Sequence, residues 1–297
     1  MNDDRPDHLS ASGSPWSDSA ETARTFDAAG SDFDALTPRL WGPAGQALIF
    51  QLGVSPGEFV LDACCGTGSS ALPAAAAVGP EGRVHAVDIA DELLERGRLA
   101  AEARGLKNID FVCTDASRWE MPSDVADRGY DALSISYGVF FLPDMDRSFW
   151  HLTSLVRQGG RVGVTVWRRG AIEEFASIVF DVAARHSPEL RERPELRDHT
   201  PLHRIDTPET IEAWLVDAGT DSVEVRTLSN LLPATDELCW SLVIGTGLRA
   251  ALTGLDGEQT ETVRRELAEE VTTRGVHTID ATSLVASATL RRPPASG

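Results

Sequence analysis

A chain of 297 residues with 42% hydrophobic content is long enough for one large α/β domain with insertions or for two small domains. Its formal net charge of −19 argues against broad electrostatic attraction to a nucleic-acid backbone or to an anionic membrane, because both are negatively charged. We therefore expect a small-molecule partner and neither a nucleic acid nor a membrane.

The start of the chain lacks the basic and apolar blocks of a signal peptide, and no apolar run approaches the roughly 20 residues that a membrane helix needs. We therefore expect a cytoplasmic protein. The four cysteines, Cys64, Cys65, Cys113 and Cys239, form no C-x-x-C pair, so we predict neither a disulfide nor a bound metal. No helix pattern is clear enough to predict an oligomeric state.

Two segments precede the regular part of the chain. Residues 1–15 are rich in Asp, Ser, Pro and Gly, which predicts a disordered tail. Residues 16–52 have a helical pattern in pieces, interrupted by glycines and prolines, and we interpret them as a helical cover. Its aromatic residues include Trp16, Phe26, Phe33 and Trp41.

From residue 53 to residue 170, short apolar runs alternate with segments of helical period, which is typical of strands buried on both faces. The predicted strands are 58–62, 83–89, 109–114, 131–136 and 160–167. The predicted helices are 69–78, 91–104 and 146–156. This alternation predicts an α/β fold with a doubly wound, mostly parallel, seven-stranded Rossmann-like sheet and right-handed crossovers.

The rhythm changes after this core. Residues 171–205 begin with a predicted helix at 173–185 and continue as a charged, proline-broken stretch, which we interpret as an inserted helical lid. Residues 206–297 are predicted to complete the sheet and add further helices. The elements predicted there are helices at 208–218, 236–252 and 257–274 and strands at 222–228 and 282–290.

The stretch VLDACCGTGSSA, residues 60–71, contains a literal G-x-G-x-x-A, which by itself fits the phosphate loop of a dinucleotide-binding fold. However, Asp62 precedes the glycines and would add like charge beside a pyrophosphate. A ligand that carries an ammonium and a sulfonium group but no phosphate suits this loop better. S-adenosylmethionine (SAM) is such a ligand.

The ends of the following strands fit the other parts of SAM, because ligands of open parallel sheets bind outside the carboxyl ends of the strands. Asp88 is placed to accept hydrogen bonds from a ribose diol, and Ile89 to pack on the adenine face. Asp115 is placed to accept from the adenine amino group while the amide of Ala116 donates to the ring. Gly66 and Gly68 allow the backbone to approach the methionine part closely.

The segments VLDACCGTG, VHAVDI, FVCTDAS, DALSISYGVFFLPD and LVRQGGRVGVTVW resemble, in this order, the class I SAM-dependent methyltransferases. They are most similar to the ubiquinone/menaquinone-biosynthesis group, also described as methyltransferase type 11-like. The resemblance implies a SAM-dependent methyltransferase. The cofactor-binding residues that it implies are Asp62, Cys64, Gly66, Thr67, Gly68, Asp88, Ile89, Asp115, Ala116 and Ser136. One departure is Cys64, which stands where the family loop Asp-x-Gly-x-Gly-x-Gly has its first glycine.

The acceptor is harder to predict, because SAM carries its own activated methyl group and a general base is not obligatory. The apolar run after the fourth strand lacks the Asn/Asp-Pro-Pro-aromatic motif of enzymes that methylate nucleic-acid bases. We expect O-, C- or N-methylation of a small apolar or aromatic metabolite, in secondary or quinone-type metabolism. The candidate substrate-binding residues are Phe33, Phe140, Phe141 and Trp167, and the candidate catalytic residues are Tyr137 and His203.

Two alternatives stay open. The first is methylation of a peptide or protein group such as a carboxylate, for which the chain offers Arg191, Arg193, Arg197 and Arg204. The second is a protein that binds SAM without methylating, or a related fold that binds NAD.

Overall fold

The computed structural model describes residues 19–188, 190 and 201–291. Several features named from the sequence therefore lie outside the described residues. These are the predicted tail 1–15, Trp16, the middle of the predicted lid, and Arg191, Arg193 and Arg197.

A mixed sheet of seven strands forms the centre of the fold, in the order β3-β2-β1-β4-β5-β9-β6. Its strands are β1 (Phe59–Ala63), β2 (Arg83–Asp88), β3 (Ile109–Cys113), β4 (Tyr130–Ser136), β5 (Val156–Trp167), β6 (Thr220–Leu228) and β9 (Ser283–Leu290). The first five run parallel, and β9 runs antiparallel to both β5 and β6. This arrangement confirms the predicted doubly wound, mostly parallel, seven-stranded sheet.

A second, two-stranded sheet pairs β7 (Leu231–Pro233) with β8 (Thr278–Asp280) in antiparallel orientation. Each strand has three residues, which is too short to show an alternating pattern. We did not predict this pairing from the sequence.

Nine helices are described, and their bounds follow the predicted elements except in one region. They are α1 (Ser19–Ala35), α2 (Trp41–Leu52), α3 (Ala71–Val78), α4 (Asp91–Ala103), α5 (Met145–Ser154), α6 (Glu173–His186), α7 (Pro208–Asp217), α8 (Asp236–Ile244) and α9 (Gly257–Thr273). The single helix predicted over 236–252 is wrong. After α8 the chain continues as a separate 3₁₀ turn at Gly247–Leu252.

The break follows from a close approach at Gly245. A Cβ atom built on this glycine would lie 2.6 Å from the carbonyl oxygen of Asp32 in α1, so only glycine allows the two backbones to meet there. The hydroxyl of Thr246 then accepts from the amide of Leu248 and starts the new turn.

Both faces of the sheet are covered, and alternate residues of one strand belong to different cores. Val60 points toward the face where α2 and α3 pack, whereas Leu61 belongs to the core that includes Phe149 and Leu152 of α5 and Leu215 of α7. The polar loops at the carboxyl ends of the parallel strands are therefore the part of the sheet left for a ligand.

Two more elements close over this edge. Helix α1 bends at Gly30 (φ 0°, ψ −86°) and packs against α4 and α8, while α6 packs against α9 and the turn 247–252. No helix in the described part of the chain is long and apolar enough to cross a membrane.

Candidate active site

A cavity of about 650 Å³ lies at the carboxyl edge of the sheet, between α1, α6 and the turn 247–252. Its volume falls in the range of about 300–1,000 Å³ that is usual for small-molecule sites. Every loop that follows β1 to β5 contributes to the wall. Representative residues are Gly66, Asp88, Asp115, Ser136 and Trp167.

The loop after β1 makes a tight left-handed turn. Cys64 has φ +56°, Gly66 has φ +55° and Gly68 has φ +90°. The turn is tied to the end of β2, because the amide of Cys65 donates to Val87 O at 3.1 Å and that of Gly66 donates to Asp88 Oδ2 at 2.8 Å. Cys64 thus adopts the conformation that suits a glycine, at a cost on the order of 1–3 kcal/mol.

The side chain of Cys64 has a matching gap on the neighbouring loop. A Cβ atom on Gly138, which follows β4, would lie 2.2 Å from the Cys64 Cβ. The φ of Gly138 is −110°, so other residues can adopt its backbone conformation and only the space excludes them. The cysteine in the first loop and the glycine in the second are therefore sterically matched.

Asp62 lies behind this loop and does not line the cavity. Its carboxylate is fully buried and accepts hydrogen bonds from the hydroxyls of Ser70, at 2.9 Å, and Ser134. Burial raises the pKa of Asp62 to about 7, and the nearby charge of Asp88 adds to the rise. Ser70 does line the cavity, so the buried carboxyl is hydrogen-bonded to a residue of the cavity wall.

Asp88 and Asp115 line the cavity directly. Asp88 accepts from the amides of Gly66 and Ala90, and its burial raises its pKa. Asp115 accepts from the amide of Ser117 at 2.9 Å, and its other oxygen accepts from the Ser19 hydroxyl of α1 at 3.0 Å. Helix α1 thus closes over the end of β3.

The charges at the two edges of the sheet differ. At the amino edge, Asp131 accepts from Arg157 at 2.6 Å and Arg128 at 2.9 Å, and hydrogen bonds from the Phe59 amide and Arg157 lower its pKa despite the opposing effect of burial. At the carboxyl edge, no Lys or Arg is found among the cavity-lining residues that the structure describes. The acids there have no cationic partner in the cavity wall.

The structure brings together most of the residues proposed from the sequence. Those that line the cavity are Cys64, Gly66, Asp88, Ile89, Asp115, Ala116 and Ser136 among the proposed cofactor residues, and Phe33, Phe140, Phe141 and Trp167 among the proposed substrate residues. Asp62, Thr67 and Gly68 do not line it. They lie behind the wall or in the turn that leads into α3, where Gly68 donates to Cys65 O and accepts from the Leu72 amide.

Aromatic rings form another part of the cavity wall, and the ring of Phe33 lies against the loop after β1, since a Cβ atom on Gly66 would be 3.3 Å from it. Phe33 and Trp41 stack with centroids 4.9 Å apart, Phe26 and Phe141 meet edge to face at 5.1 Å, and Tyr137 lies 4.5 Å from the ring of Trp167. Such a wall binds flat apolar groups through dispersion and ring quadrupoles.

The two candidate catalytic residues have different surroundings. The Tyr137 hydroxyl lies 2.5 Å from Ser283 Oγ, and burial raises its pKa above the ordinary value. Both effects leave it poorly placed to remove a proton from a ligand. His203 lines the cavity, and its Nδ1 lies 3.3 Å from Asp206 Oδ2. The geometry favours His203.

Several lining residues were missed from the sequence. Ser19, Thr22, Leu242, Thr246 and Leu248 come from α1 and from the α8 region, which are remote in sequence from the strand ends. No local motif marks them, because only the tertiary fold brings these helices over the sheet edge.

Two buried hydroxyls complete the polar wall. Ser69 Oγ and Ser136 Oγ have no hydrogen-bond partner among the described residues, and both residues line the cavity. A buried polar group without a partner costs about 1–3 kcal/mol, so these hydroxyls fit a site that receives polar atoms of a ligand.

The matched pair Cys64 and Gly138 predicts a strong coupling. We expect Gly138→Ala to destabilise the protein by about 2 kcal/mol or more, because its methyl group overlaps the Cys64 side chain. Cys64→Gly alone should be nearly neutral, since relief of backbone strain offsets the lost packing. The double variant should regain most of the stability that Gly138→Ala loses. Urea unfolding of all four proteins measures the coupling, and additive effects would contradict it.

Burial of Asp62 predicts a pH-dependent stability. The carboxyl has a pKa near 4 in an unfolded chain and about 7 in the folded one, so its contribution is present below pH 4 and is lost as pH rises through 7. Relative to Asp62→Asn, the free energy of unfolding of the wild type should fall by about 2–3 kcal/mol between pH 5 and pH 8. Urea unfolding at each pH tests this. A constant difference would exclude Asp62 as the titrating group.

The chain is similar in sequence to known methyltransferases. The family model described as the ubiE/COQ5 methyltransferase family matches residues 39–184. Aklanonic acid methyltransferase DauC from Streptomyces sp. (strain C5) is 34% identical over 181 residues, which cover 59% of this chain and 80% of that protein. Nocamycin O-methyltransferase from Saccharothrix syringae is 27% identical over 92% of this chain and 99% of that protein.

Solved structures are similar at the level of the fold. The YcgJ protein from Bacillus subtilis matches with a TM-score of 0.55 and 14% identity over 84% of this chain and 99% of that one. The [4+2]-cyclase SpnF matches with a TM-score of 0.56 and 16% identity over 93% and 97% of the two chains. The sequence relatives establish more than these folds do. The chain belongs to the ubiE/COQ5 methyltransferase family and is a SAM-dependent methyltransferase.

Proposed function

We propose that this enzyme transfers the methyl group of SAM to an oxygen, carbon or nitrogen atom of a small apolar or aromatic metabolite, in secondary or quinone-type metabolism. The observation that carries the proposal is one cavity whose described wall combines acids that have no Lys or Arg partner there with a group of aromatic rings. The acids suit a cationic cofactor and the rings suit a flat acceptor.

The acids of the cavity wall and their neighbours match the adenosine part of SAM. We propose that Asp88 accepts hydrogen bonds from the ribose diol, that Ile89 packs on the adenine face, and that Asp115 and Ala116 bind the adenine edge. The exchange of the Ser19 hydroxyl for a ligand donor would leave Asp115 fully hydrogen-bonded.

The methionine part would be held by the loop after β1. Gly66 allows a close approach of the backbone, and the free hydroxyls of Ser69 and Ser136 supply polar contacts. The ammonium group would face Ser70, whose hydroxyl donates to the buried carboxyl of Asp62. Because a nearby cation favours the ionised carboxylate, this arrangement links cofactor binding to loss of the Asp62 proton. When bound, SAM supplies an activated methyl group, and the chain's task is to orient the acceptor and exclude water.

The aromatic part of the cavity wall suits a small molecule. Two relatives act, by their names, on aklanonic acid and on nocamycin, and a 32% identical relative in Bacillus mycoides (strain KBAB4), matched over 45% of its length, acts on demethylmenaquinone. These names support a small-molecule acceptor of the proposed class.

The peptide alternative gains no support from the described residues. Arg204 is the one described member of its proposed basic set, and its guanidinium donates to Asp146 Oδ2 at 2.8 Å outside the cavity wall.

The expected cytoplasmic location and absence of a nucleic-acid partner stay predictions. All four cysteines are free, as is usual in a reducing compartment.

The assignment of Asp88 predicts a large effect on cofactor affinity. Asp88→Ala should weaken SAM binding at least about 50-fold, because it removes the hydrogen bonds between a charged carboxylate and the ribose hydroxyls. Isothermal titration calorimetry with SAM and with its demethylated product measures the affinity.

The matched control is Asp110→Ala, which removes an acid from β3 that pairs with Arg83 away from the cavity. It should leave the affinity unchanged, and circular dichroism should show that both variants are folded. Equal affinity in wild type and Asp88→Ala would refute the assignment. Tight binding of NADH with no heat from SAM would refute the proposal that the acids of the cavity wall bind SAM.

A further inference from the structure

His203 lies beside aromatic residues of the cavity wall and has no role in the binding scheme above. His203 lies in the 3₁₀ turn Pro201–Arg204, which packs against the turn Val139–Phe141 at the end of β4. It lines the cavity together with Phe140 and Phe141. An imidazole therefore stands beside the rings that would hold an acceptor.

The residue behind His203 is held firmly. Asp206 is only 2% exposed, and its Oδ1 accepts from two nitrogens of Arg169, at 2.7 and 3.1 Å. Its carbonyl oxygen also accepts from the Arg169 amide at 2.7 Å. The second carboxylate oxygen, Oδ2, is directed to His203 Nδ1 at 3.3 Å. A carboxylate at Nδ1 places the proton on that nitrogen and leaves the lone pair on Nε2.

The charges around the cavity restrict the acceptor. Asp88, Asp115 and Glu173 line it, and no Lys or Arg does so among the described residues. An acceptor that arrives as an anion finds no Lys or Arg partner in the described wall, whereas a neutral hydroxyl needs none. Such an acceptor has to lose its proton inside the site.

We propose that His203 is the general base of the reaction, that Asp206 is its positioning residue, and that the acceptor is a weakly acidic hydroxyl group on an aromatic or enolic carbon. This inference rests on the proposed function and narrows it to O-methylation. Among the described residues, the charged groups around His203 are Glu173, Asp206 and, through Asp206, Arg169. Arg204 of the same turn is paired with Asp146.

The step balances without a further reactant. The acceptor O–H proton moves to His203 Nε2 as the oxygen forms its new bond to the methyl carbon. The carbon–sulfur bond breaks and its electron pair stays on sulfur, which becomes a neutral thioether. The imidazolium then releases its proton to water, because the His203 side chain is 47% exposed.

A metal site is the competing interpretation of the same residues. Glu173, His203 and Asp206 offer ligand atoms that all lie within 4.8 Å of one another. The guanidinium of Arg169, however, already occupies one oxygen of Asp206 and would repel a divalent cation. We therefore favour the proton-transfer role, and the experiment separates the two.

The first test is optical and needs no turnover. The probe is 7-hydroxycoumarin, whose absorption band moves when its hydroxyl ionises, added to protein saturated with the demethylated cofactor. With wild-type protein we expect the bound probe to ionise about one pH unit lower than with His203→Gln, a tenfold shift, because the imidazolium pairs with the phenolate. Asp206→Asn should lose part of this shift.

The second test compares turnover with two acceptors, measured as demethylated cofactor formed. For 7-hydroxycoumarin, His203→Gln should lower kcat about 100-fold with little change in KM. For the more acidic 6,8-difluoro-7-hydroxycoumarin the loss should be much smaller, because less proton removal is needed. Asp206→Asn should displace the pH profile of kcat. The control His277→Gln changes an exposed histidine outside the cavity and should behave as wild type.

Three results would overturn the proposal. They are no binding of either coumarin to protein that binds SAM, the same ionisation midpoint in wild type and His203→Gln, and turnover that is lost on chelation and restored by Mg²⁺ or Zn²⁺. If SAM itself gives no calorimetric heat, the proposed binding scheme fails and not only the role of His203. Thermal unfolding of each variant identifies a loss that is due to misfolding.

Discussion

The structure depends on two acids at the carboxyl edge of the sheet that are buried without a cationic partner. Asp62 and Asp88 are 0% and 9% exposed, and burial raises the pKa of both. A buried carboxylate destabilises the fold unless its charge is compensated. Hydrogen bonds from Ser70, Ser134 and the loop amides compensate it only in part. The site therefore suits a positively charged ligand. Without that ligand, the buried acids lower the free energy of unfolding of the protein.

The same acids shape the loop that binds the ligand. The Gly66 amide donates to Asp88, so the end of β2 holds the turn after β1 in its left-handed form. This constraint explains why a cysteine is tolerated at position 64, with φ +56°. The turn is enforced by its neighbours, and Gly138 supplies the space that the extra side chain needs. Cys64 thus holds a backbone conformation that glycine adopts more readily.

The sheet and the strand-end residues could be predicted from the sequence, because strands buried on both faces give apolar runs and their ends carry the polar residues. Asp88 and Asp115 stand directly at such ends. The helix break at Gly245 and the contribution of Thr246 and Leu248 could not be predicted, because they depend on how closely α8 approaches α1. The direction of the Tyr137 hydroxyl, toward Ser283 on β9, depends on a contact between residues 146 positions apart. Local pattern carries no signal for contacts of that kind.

The fold alone does not define the chemistry, since one structure that shares it is described as a cyclase. The central claim is that a cationic cofactor binds beside the buried acid Asp62. Calorimetric titration with SAM at pH 6, in two buffers of different ionisation enthalpy, measures the protons released on binding. With a pKa of about 7 in the free protein, the wild type should release close to one proton more than Asp62→Asn. Equal proton release by the two proteins would contradict the account.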